Sequence, residues 1–261
     1  MNRVVYIAWR VGSPDERGGW SPVARLEQAD GEYCFVYTEG ARTLKGFHPF
    51  PGMTDLHAVY RSTALLPMMS NRLLSRSRPE FKAWLAWSDF DPDNPPDPLA
   101  ILGVTEGIRQ TDALEVFPHP EPDAKGRYRT RFFVHGLRYA SPEALQRLAS
   151  LAAGTLLRIE MEDDNPHDPR AVAVLDDRNG EPQRLGYVPR YLARDVRALT
   201  AQASADAITL AVVRVNPDAP LQMRLLCQLT APWPAGFAPC GGDEFRPLAD
   251  SSRPAKVAHS A

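Results

Sequence analysis

The chain has 261 residues, of which 44% are hydrophobic and 24% charged, and its formal net charge is −2. That length accommodates two ordinary domains or one large domain with a tail, and the apolar content excludes global disorder. The near-neutral charge excludes a uniformly basic coat, although a local basic face is enough to meet a phosphate backbone.

From the N-terminus, MNRVVYIAWR lacks the long apolar core and cleavage site of a signal peptide. No stretch approaches the roughly 18 apolar residues of a membrane span. Cys34, Cys227 and Cys240 are too few and too scattered for a disulfide framework or a zinc cage. The expectation is a cytoplasmic protein in a reducing setting, without membrane contact.

Residues 4–11 and 31–40 read as short strands from their aromatic and β-branched content. Residues 62–74 form an apolar helical turn interrupted by Pro67. Residues 77–90 predict a helix with a serine cap, an early proline and Phe81, Trp84 and Leu85 on one face. DFDPDNPPDPLA (89–100) is too proline-rich to be one regular element, and HPEPDAKG (119–126) marks a domain boundary. This half is α+β.

Beyond that break the pattern sharpens. Residues 128–139 predict a strand, and 141–154 a helix capped by Ser141 and closed by Gly154. Strands follow at 155–162, 171–177 and 185–188. A helix at 189–202 has Leu192, Val196 and Leu199 as its buried stripe, and 207–215 and 221–229 read as an antiparallel pair. Five or six short strands with two helices suggest a small barrel of the OB or SH3-like kind. The fold expected is therefore α+β: a platform over 1–122, a barrel domain over 127–234, and a mobile, Gly- and Pro-rich tail over 235–261.

Two basic rows stand out. Arg127, Arg129 and Arg131 recur at spacing two, so an extended strand projects all three to one side. Arg190, Arg194 and Arg197 lie opposite the leucine stripe of their helix. The bland alternative for each is a solvated edge or face. EDDNPHDP (162–169) reads first as a proline-fixed turn in which Asn165 and Asp168 cap backbone amides. Its prolines disrupt a calcium loop, and it has no second His or Cys at zinc-ligand spacing, so His167 and Asp168 are weak metal candidates.

GLRY (136–139), LLRIEMEDDNPHDPRAVAVL (156–175) and LGYVPRYLA (185–193) follow, in order, three hallmarks of the HIRAN domain. These are a Gly-x-x-Tyr motif, an acidic E-x-x-NPYD-x-A-V loop and a GYVP-x-x-LA corner. Over about residues 130–230 the chain resembles that domain, which occurs linked to helicase-like proteins and alone in bacteria. His167 stands where the family has tyrosine, which introduces a protonatable ring. The resemblance implies a barrel that binds nucleic acid, in some members the 3′ end of single-stranded DNA, and a connection to DNA repair. By motif, Arg138 and Tyr139 would meet the terminal nucleotides, and Asn165, His167 and Asp168 would form the end-recognition loop. Tyr187, Val188 and Arg190 would line the opposite wall; independently of the resemblance, the spacing of Arg127, Arg129 and Arg194 within their rows would extend a basic face. An aromatic ring stacks a base, arginine pairs with phosphate, and a carboxylate accepts from a free 3′-hydroxyl while repelling a continuing phosphate.

Residues 1–118 are similar in pattern to the N-terminal subdomain of HipA-type toxin kinases. This resemblance implies an interaction platform, with Arg72, Arg76, Arg78 and Lys82 as its densest basic cluster. The phosphate loop and catalytic motifs of a kinase or ATPase are missing from the sequence.

The leading expectation is a DNA-binding protein with no cofactor and no catalytic residues of its own. A helicase, nuclease or toxin–antitoxin-type protein is the expected partner. Two alternatives stay open. One is a metal-dependent hydrolase of nucleic acid or acid anhydrides, using a divalent ion at the acidic loop and suggested by family association alone. The other is a protein-interaction adaptor that does not bind nucleic acid.

Overall fold

The computed structural model describes residues 3–11, 20–109, 113–178, 180–250 and 256–257. The chain divides into two units, residues 1–78, 96–119 and 240–261 in the first and 79–95 and 120–239 in the second.

The first unit is built on a sheet of β1 (Arg3–Arg10), β2 (Trp20–Ala29), β3 (Glu32–Tyr37), β4 (Val59–Ser62) and β5 (Leu114–Pro118), with Lys256–Val257 pairing in parallel with β4. The order is β4-β3-β2-β1-β5, antiparallel throughout these five strands. Val5, Ile7, Val23, Leu26, Phe35 and Val116 are almost wholly buried in it. The hydroxyl of Tyr37, buried beneath Phe50, donates to the Met53 carbonyl at 2.8 Å and accepts from the Phe50 amide at 2.7 Å. Burial pushes that phenol far above its usual range.

This division differs from the expected one in two places. Residues 79–95, with the helix Phe81–Trp87, belong to the second unit, so Lys82 falls in a different unit from Arg72, Arg76 and Arg78. The tail expected from composition is packed over residues 240–250. Phe245 stands edge-on to Tyr6 at 5.0 Å, Arg246 pairs with Glu39 at 3.1 Å, and the Leu248 amide donates to the Tyr37 carbonyl at 2.8 Å. Isolated anchors of this kind leave no periodicity in sequence. The remainder of that tail, apart from Lys256–Val257, lies outside the described residues.

The second unit contains β6 (Arg127–Phe133), β7 (Leu156–Glu162), β8 (Ala171–Asp176), β9 (Gln183–Tyr187), β10 (Thr209–Val215) and β11 (Leu225–Pro232) in the order β6-β11-β10-β7-β8-β9. Its helices are Phe81–Trp87, Pro142–Ala149 and Arg190–Gln202. Ser141 caps the second by accepting from the Ala144 amide, and Leu192, Val196 and Leu199 bury the inner stripe of the third as their spacing predicts. The antiparallel six-stranded sheet matches the strands expected of a small OB- or SH3-like barrel, but no continuous ladder among the described residues closes it. Two register pairs, Leu210 with Leu157 and Ala211 with Leu156, join β10 to β7, and Val212 continues the contact by donating to the Thr155 carbonyl and accepting from the Gly154 amide, both at 2.8 Å. The edge strands meet at one bridge, where His135 and Tyr187 exchange two 2.9 Å backbone hydrogen bonds.

Candidate nucleic-acid interface

That bridge brings the three sequence motifs together. β6 ends at Phe133, and Gly136 turns the chain at φ 77°, a conformation glycine adopts without strain. A Cβ at Gly136 would lie 3.1 Å from the Tyr187 ring, and one at Gly186 only 2.3 Å from the His135 carbonyl oxygen. The glycines of the first and third motifs are thus both required where those motifs touch. A 3-10 turn, Leu137–Tyr139, follows; it buries Leu137 and presents Arg138 and Tyr139 to solvent. Tyr139 is 67% exposed, and the Arg138 guanidinium lies 4.6 Å from its ring centroid.

The acidic loop joins the same corner through Tyr187. Asn165 Oδ1 accepts from the amides of His167 (3.0 Å) and Asp168 (3.1 Å), and Asp168 Oδ1 accepts from the Arg170 amide at 2.9 Å. This is the capped, proline-fixed turn that the sequence predicts. Glu162 anchors it. Its carboxylate accepts from Asn165 Nδ2 at 2.7 Å, the Tyr187 hydroxyl at 3.1 Å and Arg184 at 3.1 Å. Burial opposes ionisation of Glu162, but these three donors outweigh it and hold the carboxyl below its usual range.

Several expected placements change. Tyr187 is half-buried, with its hydroxyl bonded to Glu162, Arg184 5.4 Å from its ring centroid and Gly136 against its edge. It is a framework residue rather than an open stacking surface. Val188 is 3% exposed and belongs to the core, and its amide continues the pairing to the Val172 carbonyl. Arg190 is not across a groove from the acidic loop. Its Nε donates to Asp168 Oδ2 at 2.9 Å and its Nη2 to the His167 carbonyl at 3.3 Å. Arg197 also holds the loop, through the Arg170 and Ala171 carbonyls and Asp163. His167 and Arg194 are exposed. Glu162 and Arg184 escaped sequence reasoning as site residues; the only signal for Glu162 was its place at the head of the acidic motif.

Residues 128–233 match the family model of the HIRAN domain. Among solved structures, the chain is similar to a protein from Lactobacillus plantarum at 21% identity, with 40% of this chain and 96% of that chain covered and a TM-score of 0.31. It is also similar to the HIRAN domain of human HLTF at 18% identity, covering 40% of this chain and 74% of that one, with a TM-score of 0.29. The curated proteins include no match.

The first basic row lies at the start of the matched residues, with Arg127 just before them. Along β6, Tyr128, Thr130 and Phe132 face inward while Arg127, Arg129 and Arg131 alternate outward. Arg127 pairs with Asp123, Arg129 donates to Gln228 at 2.9 Å, and Arg131 reaches Asp89 at 3.2 Å while lying 5.1 Å from the Phe90 ring centroid. Asp89, Arg129, Thr130, Arg131 and Gln228 line an open cavity of about 450 Å³.

Among the described residues, no group of three or more His, Cys, Asp or Glu side chains is arranged to hold a metal ion. Both oxygens of Asp168, one of the two weak candidates, accept hydrogen bonds from arginines: the Arg170 amide and the Arg190 side chain. No described helix is long and apolar enough to cross a membrane.

Proposed function

We propose that the HIRAN segment binds DNA and takes the end of a single strand at the corner where its three motifs meet. The family match carries the general part, DNA binding. The observation that favours this corner is the exposed Arg138–Tyr139 pair, held two and three residues beyond the Gly136–Tyr187 contact. In this reading Tyr139 stacks on the terminal base, and Arg138 swings from the ring to the adjacent phosphate. The Asn165–Asp168 turn, braced by Glu162, faces the terminal sugar. Arg190 offsets the Asp168 charge, so it tempers the repulsion that a bare carboxylate would exert on a terminal phosphate.

The test is a titration with single-stranded oligonucleotides ending in a free or a phosphorylated 3′-hydroxyl. The free end binds more tightly, and Arg190→Ala widens the difference by unmasking Asp168. Equal affinity for both ends, unchanged in Asp168→Asn, would remove the end-sensing role.

A further inference from the structure

We infer that the outer face of β6, β11, β10 and β7 forms a second contact site for the phosphate backbone of the same strand, separate from the end-binding corner. The inference rests on the proposed function above. One row crosses four strands in register, from Arg131 to Gln228 to Ala211 to Leu156. Opposed residues in an antiparallel sheet share a face, and none of these four is buried. The row begins cationic, continues through an amide and a small methyl, and ends on Leu156, which is 61% exposed.

The edge sets two guanidiniums, Arg129 and Arg131, against one carboxylate, Asp89, so its net charge is positive. Arg129 and Arg131 both line the 450 Å³ cavity, and Gln228, opposite Arg131 in register, accepts from Arg129 Nε at 2.9 Å. Arg131 is oriented by the Phe90 ring and Asp89, so little side-chain freedom remains to be lost when a phosphate arrives. Burial lowers the affinity of the Arg131 guanidinium for its proton. Asp89 opposes this, and the charge of Arg129 adds to it. Bringing two cations together is unfavourable in the free protein, and a bound phosphate relieves it. Ala211 leaves a shallow path beside the arginines, and Leu156 offers an apolar surface for base faces at its far end.

Arg129 lies seven positions before Gly136 in the chain, roughly 23 Å if the strand is extended at about 3.3 Å per residue. At the roughly 3.4 Å per nucleotide of a stacked, duplex-like strand that distance corresponds to about seven nucleotides, and to fewer in an unstacked, more extended strand. A thymidine trimer at the corner is therefore too short to reach the groove, whereas a decamer spans both.

The experiment compares these two oligonucleotides on the full chain, with Arg129→Glu and Arg129→Ala/Arg131→Ala variants. Arg129→Glu leaves the Arg131 packing intact and so guards against misfolding of the double variant. The decamer should lose about tenfold in affinity at low salt while the trimer changes less than about twofold. A decamer with a neutral methylphosphonate backbone should bind wild type no better than the trimer. If the wild-type trimer binds but neither variant weakens the decamer, the groove is overturned and the end site stands. Wild-type protein that binds neither oligonucleotide overturns both.

Discussion

At the level of single residues, the two tyrosines of the corner have different tasks. Tyr139 is exposed and touches Arg138, whereas Tyr187 is held by Glu162, Arg184 and Gly136. Tyr139→Ala should therefore cost on the order of 1–3 kcal/mol in DNA binding, with the thermal midpoint nearly unchanged. Tyr187→Ala should instead destabilise the fold, by up to the roughly 3–5 kcal/mol of a buried aromatic deletion. Tyr187→Phe isolates the hydroxyl and should cost about 1 kcal/mol. Unfolding and binding measured on the same three variants separate these roles. Swapped outcomes, with Tyr187→Ala stable and binding-deficient, would return Tyr187 to the groove wall. The sequence could rank neither ring, because it does not say which side of a ring its neighbours cover.

At the scale of elements, the acidic loop is a local construction and was legible for that reason. Asn165, Pro166, Asp168 and Pro169 fix their own turn with bonds no more than a few residues long. Its attachment to β9 and to the helix Arg190–Gln202 was not legible. Glu162–Tyr187, Asp168–Arg190 and Asp163–Arg197 join positions more than twenty residues apart. Three strands of the first unit escaped as well. In β2, Pro22 and a run of buried residues from Ser21 to Ala24 replace the expected alternation. β4 and β5 are too short for a pattern to emerge. The segmental character of the loop predicts its acid response. Because Glu162 has a depressed carboxyl pKa, its contribution to stability is present above the ordinary carboxylate range. It is lost as pH falls through the lower folded value. Glu162→Gln should weaken the loop at neutral pH and remove part of the acid-induced loss. Hydrogen exchange of the His167 and Asp168 amides reads this directly, and an acid profile identical to wild type would exclude Glu162 as the brace.

At the scale of the molecule, two units share a chain that passes between them more than once, and only the second carries the family match. The overall charge of −2 conceals a local distribution in which Arg129, Arg131 and Arg138 all reach the surface of the matched segment. If DNA is held through these side chains, log affinity falls with log salt at roughly −0.7 per phosphate contact, and each arginine removed flattens the slope by about that amount. Composition alone could exclude a uniform basic coat but could not locate this face. Its position depends on the alternation of β6 and on the turn at Gly136.

The most direct measurement is fluorescence anisotropy of a labelled single-stranded decamer with a free 3′ end. It is titrated with wild type and with the Arg138→Ala/Tyr139→Ala variant between about 50 and 200 mM salt. Saturable binding that weakens with salt is expected for wild type, with at least a tenfold loss in a variant that unfolds at the wild-type temperature. Absence of binding by wild type, or equal binding by the variant, would contradict the assignment of this corner as the DNA site.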